Sequence, residues 1–328
     1  MIISLFKTNQ ISGIVFLFLF QALLFLNAFL HPIPLIDPAR ETQIFETVFG
    51  PVTLLKWVQL PLAFVLIFLQ ALLYNYLIIQ LNILGRTTYL PAFFYVVASC
   101  MLPVNIYLNS GMVAMSFSLL ALFTFFRLVS PKFPLRQVFY TSFLFSLGSL
   151  FYFPLVYFLP FVWVALLTLG YMGLRQWMVS IIGFVVPYIY VFLYYFWFDG
   201  LPEFWEKDVK PFFGFPDLLA AGFTIAELAL FGLLVFIMAS SAYTFIRTRF
   251  TYKVIQRKIY RIFSWFFLFV FLSVAYMPFF NRHHLVLLAF PAGVFLSLYF
   301  LNLRRQWWAD VITVLLFSAM VVLQFGFY

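Results

Sequence analysis

Apolar runs of about twenty residues, broken by short polar or Pro/Gly punctuation, follow one another along this chain. Within each run every helical face is apolar. The inside–outside alternation of a membrane barrel strand is missing, so the pattern predicts helices. Eleven spans are expected, at 11–30, 53–80, 89–108, 111–127, 137–153, 155–173, 177–198, 219–245, 262–280, 285–303 and 309–327. The fifth and sixth are short and share the break at Phe153-Pro154, which suits either two tilted spans or a re-entrant pair. The expectation is an all-α polytopic bundle, one integral membrane domain over residues 1–328. Its longer connections are 31–52 and 199–217 on one side and 246–261 on the other.

Composition supports the same solvent. Hydrophobic residues make up 66% of the chain and charged residues 9%, too few to build the charged shell of a water-soluble fold of this size. Lys7 stands before the first apolar run, as in a signal peptide. No small-x-small cleavage site follows it, so the run reads as a retained span. The single cysteine, Cys100, excludes an internal disulfide and a cysteine metal cage.

Charge orients the bundle. With the N-terminus in the cytoplasm, the inner segments hold Lys7, Arg86, Arg127, Lys132, Arg136, Arg175, Arg247, Arg249, Lys253, Arg257, Lys258, Arg261, Arg304 and Arg305. Only Arg40, Lys56, Lys207, Lys210 and Arg282 fall outside, whereas eight of the 10 acidic residues do: Asp37, Glu41, Glu46, Asp199, Glu203, Glu206, Asp208 and Asp217. That is the positive-inside bias, and it puts the C-terminus outside. The net charge of +9 is thereby assigned to the inner leaflet and not to nucleic acid.

Candidate chemistry concentrates on the outer side. Asp37-Pro38 reads as an N-cap and N1 pair opening a short helix with Ile44, Phe45 and Val48 on its apolar face. Asp37 and Glu41, one turn apart on that helix, equally suit a general base or a ligand for a divalent cation, the one cofactor the sequence leaves open. Asn281-Arg282-His283-His284 is a tight outer turn; Arg282 suits bidentate contact with a phosphate, whether of a substrate or of ordinary lipid. All three histidines, His31, His283 and His284, lie on this side. Glu227 is the one acidic residue inside a span and either faces the bundle interior or snorkels to the outer interface. Residues 201–213 mix aromatic and charged positions and read as a short interfacial helix, a belt or a lid. The inner stretch 247–261 is basic and amphipathic, suited to anionic lipid. No phosphate-binding glycine loop, HExxH or Gly-x-Ser-x-Gly motif is present.

Two of these places resemble the GT-C class of membrane glycosyltransferases, which use polyprenyl-phosphate sugars. Leu35-Ile-Asp37-Pro-Ala-Arg40-Glu41-Thr42 is similar to the stretch of that class that carries a catalytic carboxylate after the first span. Arg282-His283-His284-Leu-Val-Leu-Leu-Ala-Phe-Pro291 is similar to a late span that begins outside with an Arg–His pair. The resemblance implies Asp37, with Glu41, as catalytic carboxylates. It implies Arg282, with His283, His284, Arg40 and His31, at the lipid-linked donor. The whole chain also resembles bacterial multi-spanning inner-membrane proteins. Three classes stay open: such a transferase, a non-catalytic subunit of an envelope complex (secretion, motility or surface-polymer assembly), and a flippase, polymerase or transporter for lipid-linked or small solutes. The partners implied are the bilayer, a polyprenyl-phosphate lipid and envelope-complex subunits.

Overall fold

The computed structural model describes residues 6, 11–30, 41–129, 132–171, 173–210, 225–248, 253–276, 282–303 and 306–326. It is all-helical, with no strand among those residues. In chain order the helices are α1 (Ile11–Leu30), α2 (Gln43–Leu54), α3 (Lys56–Gln80), α4 (Leu90–Ser99), α5 (Ser110–Phe126), α6 (Pro134–Phe151), α7 (Phe158–Leu169), α8 (Leu174–Trp197), α9 (Leu201–Phe204), α10 (Ile225–Thr248), α11 (Val254–Tyr276), α12 (Ala289–Asn302) and α13 (Gln306–Gly326).

Five of the described helical segments are long and apolar enough to cross a membrane: Ile11–Leu30, Trp57–Gln80, Ser110–Val129, Leu174–Trp197 and Arg282–Asn302. Shorter apolar helices fill other places where spans were expected. The stretch 89–108 gives only the ten residues of α4, all of them buried. Proline explains the stop. Pro103 cannot donate to a helical ladder and forces Leu102 into extended geometry (φ −105°, ψ 143°), after which Pro103–Ile106 makes a single tight turn. Irregular backbone at this position is tolerable because protein surrounds it and Asn109 bonds part of it. Asn109 donates to the Tyr107 carbonyl at 3.0 Å and accepts from the Met112 amide at 2.8 Å, capping α5. The Phe153-Pro154 break acts alike, with Tyr152 extended and a tight turn, Phe153–Tyr157, leading into α7.

At the centre α12 packs on α4 and α10. Residues 289–298 of α12 are buried on every face, as an apolar helix without a polar side must be when neighbours surround it. By contrast α8 leaves large apolar side chains such as Ile182, Phe192 and Trp197 exposed. Polar side chains tie the bundle through carbonyls. Gln21 donates to Phe64 O at 2.8 Å, and Gln70 donates to Met112 O at 2.9 Å while accepting from Tyr95 at 3.0 Å.

Polar contacts among the connections fall into two sets. In the first, Gln256 reaches the Asn82 carbonyl (2.7 Å), Tyr260 that of Ile83 (3.2 Å), Lys258 that of Leu169 (3.1 Å) and Tyr171 that of Leu128 (3.0 Å). In the second, residues 41–46 meet Ser110, Phe151, Lys207, Asp208 and His283. The candidate chemistry lies in the second set.

Candidate functional site

The first described helix after α1 is capped at a different residue from the one the sequence suggests. Thr42 is its N-cap, accepting from the Phe45 amide at 3.3 Å and donating to the Phe151 carbonyl at 2.8 Å. Glu41 therefore sits just ahead of the helix and is turned inward. Asp37 cannot be the cap of α2, and residues 31–40, which include His31, Asp37 and Arg40, lie outside the described residues. Of the expected apolar face, Phe45 is buried, whereas Val48 is exposed.

Glu41 meets α5 at its start. Its Oε2 accepts from the backbone amide of Ser110 at 3.3 Å, at the positive end of a 17-residue helix. Its Oε1 lies 3.7 Å from Nε2 of His283, whose side chain is 13% exposed against 3% for the glutamate. Burial pushes the Glu41 carboxyl up to about 7; the Ser110 hydrogen bonds oppose that shift, and Glu46 adds a smaller upward push. Few carboxyls are poised so near neutrality.

His283 is aimed from the other side. Its Nδ1 is 3.3 Å from Oδ1 of Asn105, so that ring nitrogen carries the hydrogen and Nε2 is the atom turned to Glu41. The pair then holds a proton on the carboxyl, with neutral imidazole opposite, or on the ring, as an ion pair. Asn105 is buried, and its Nδ2 has no hydrogen-bond partner among the described residues. Arg282, next to His283 at the start of the turn Arg282–Leu288, is half-buried.

His284 faces elsewhere. It is buried, with Tyr152 at 3.0 Å from Nδ1 and Ser273 at 2.8 Å from Nε2. Ser273 itself donates to the Val270 carbonyl at 2.8 Å, so its oxygen accepts from Nε2–H and Tyr152 donates to Nδ1. The ring is a neutral cross-link between the end of α6, the Arg282 turn and α11. Glu227 lies in the first turn of α10, and its side chain is outside the described residues.

Glu41 and His283 are thus brought together, and His284 is turned away from them. Ser110, Asn105 and Tyr152, which complete the surroundings, carry no sequence signal of their own beyond the capping pattern at Asn109-Ser110. Among the described residues no three His, Cys, Asp or Glu side chains converge as metal ligands would. What the site offers chemically is proton transfer. No protein-family model, curated protein or solved structure matches this chain.

Proposed function

We propose that this chain is a GT-C-like membrane transferase that moves a sugar from a polyprenyl-phosphate carrier to an acceptor on the outer face of a bacterial inner membrane. The observation that carries the reading is the Glu41–His283 pair, a carboxyl poised near 7 beside an imidazole at 3.7 Å. A carboxylate there takes the proton of an attacking hydroxyl, and His283 accepts or returns it. Arg282, adjacent in sequence, supplies positive charge for the phosphate that departs with the lipid. Asp37 and Arg40 belong to the same outer segment, where the resemblance gives Asp37 a catalytic role beside Glu41 and Arg40 a donor contact. No metal is required for this scheme.

The proposed topology has eleven crossings, the N-terminus inside and the C-terminus outside. The distribution of Lys and Arg supports it. So does the grouping of contacts: 82–83, 128, 169–171 and 256–260 meet one another, while 41–46, 110, 151, 207–208 and 283 meet separately. In that topology each set joins connections of one side only.

The test uses protein purified into nanodiscs and offered polyprenyl-phosphate hexoses carrying a radiolabel. Transfer to lipid or glycan acceptors is expected, and Glu41→Gln is expected to reduce it by about 10²-fold or more while the protein stays folded. Undiminished transfer by Glu41→Gln would sink the assignment. A second reading, the envelope-complex subunit, is favoured by the closed state of Glu41. It predicts no transfer and stoichiometric copurification of partners that survives Glu41→Gln.

A further inference from the structure

A carboxylate 3% exposed cannot meet a reactant arriving from outside, so the Glu41 site is closed in this structure. The segment after α8 lies against the helix that follows Glu41. At the end of α8, Asp199 takes the left-handed conformation (φ +53°), which L-residues seldom adopt, and Gly200 folds back so that its amide bonds the Tyr195 carbonyl at 2.8 Å. A side chain at Gly200 would lie 3.0 Å from the Tyr195 ring, which would have to give by a few tenths of an ångström. Beyond this corner runs a short arm, α9 and the wide helical turn Trp205–Val209, stacked on α8 through Phe204 and Tyr195 at 4.7 Å.

The arm ends on the helix that follows Glu41. Asp208 is buried, and its Oδ1 accepts from the amide of Gln43, the first residue of α2, at 2.7 Å. Beside it Lys207 pairs with Glu46 at 2.7 Å. Two side chains of the arm therefore clasp α2 at its first turn, two residues from Glu41. The other oxygen of Asp208 has no hydrogen-bond partner among the described residues, so the clasp keeps a buried carboxylate oxygen unpaired. A joint that holds such a group gains by opening.

We infer that residues 199–209 form a hinged strap that closes the Glu41–His283 site and must release Gln43 and Glu46 before a substrate reaches it. The corner at Asp199-Gly200 is the hinge, and Asp208 with Lys207 is the clasp. That the opening admits a sugar-carrying lipid rests on the transferase reading; the opening itself does not.

The test is thiol labelling of the full chain in nanodiscs. Cys100, which is buried, is replaced by Ala, and Ser110→Cys puts a reporter against Glu41. With the clasp intact, a water-soluble maleimide is expected to label the reporter slowly. Asp208→Ala with Lys207→Ala should speed labelling about tenfold or more. Glu206→Ala, which removes only the exposed Glu206–Lys210 pair, should not. Asp208→Asn, which retains an oxygen to accept from Gln43, should label slowly, and it serves as the comparison if the double variant unfolds. Equal rates with and without the clasp, or fast labelling of the intact form, would overturn the strap. Because the readout is labelling and not turnover, it fails separately from the transferase reading, which Glu41→Gln decides.

Discussion

Gly111 lies directly against the backbone of His283: a Cβ added there would stand 3.2 Å from the His283 carbonyl oxygen and 3.4 Å from its Cβ. The start of α5 therefore packs closely on the Arg282 turn, and a side chain at that position would press on the His283 backbone. This approach, with the Asn105 contact, sets His283 opposite Glu41. Gly111→Val is expected to force the two elements apart and to cost about 1–3 kcal/mol, the usual range for overpacking. Gly111→Ala should cost less, because a few tenths of an ångström of relief suffice. Thermal unfolding in nanodiscs checks both, and a Gly111→Val protein as stable as its parent would contradict the packing described.

Glu41 makes stability depend on pH in a defined direction. Its folded value, about 7, is above the ordinary 4.5 because burial disfavours the charge. The folded state therefore holds the proton more tightly than the unfolded one. That stability is fully present below 4.5 and is lost as pH rises through about 7. Glu41→Gln imitates the protonated carboxyl: its oxygen accepts from Ser110, and its amide donates toward His283. The variant should match the parent near pH 5 and melt about 3 °C or more above it near pH 8. Parallel melting curves across that range would remove the pH argument.

The break points of this bundle were legible because proline acts locally. Pro103 and Pro154 each end a helix by a rule that needs no tertiary information. Five helices long and apolar enough to cross a membrane were legible for a similar reason, since length and apolarity are properties of one segment. The start of α2 was not. Its cap is Thr42, which also reaches the Phe151 carbonyl more than a hundred residues away, a contact with no local signature, while Asp37-Pro38 lies outside the described residues. Glu41 and His283 were legible as chemically capable residues on one side, because charge asymmetry sorts connections. Their partnership was not legible, because it depends on Gly111 and Asn105. Asp208 was read only as one charge in an interfacial segment; a cap supplied from another part of the chain leaves no mark around it.

The buried histidine is a structural joint with a measurable coupling. Tyr152→Phe removes the donor to Nδ1 of His284, and Ser273→Ala removes one acceptor from Nε2. Tyr152→Phe takes a partner from Nδ1 in a buried site and should cost about 1–3 kcal/mol, whereas Ser273→Ala leaves Nε2 the Val270 carbonyl at 3.1 Å and should cost less. The ring passes polarisation between its two nitrogens, so the effects should not add. A double-mutant cycle is expected to show coupling of about 0.5 kcal/mol or more. Additive losses would mean that His284 holds α6 and α11 independently.

The strap carries a pH dependence of its own. Burial raises the Asp208 carboxyl to about 6 from 3.8, while the Gln43 amide and Lys207 work in the opposite direction and Glu46 and Glu203 add to the rise. Tyr195, at the base of the arm, faces the same carboxyl. A raised acid binds its proton more tightly when docked than when free. The clasp is thus strongest below about 3.8 and weakens as pH rises through about 6. Asp208→Asn carries no charge yet still accepts from Gln43, so it should stay clasped throughout. The ratio of Ser110→Cys labelling rates, parent over Asp208→Asn, cancels the ionisation of the thiol itself. That ratio should rise between about pH 5 and about pH 8 and then level off once the carboxyl is fully ionised. If it is flat, Asp208 does not sense its burial, and the clasp opens for reasons unrelated to charge.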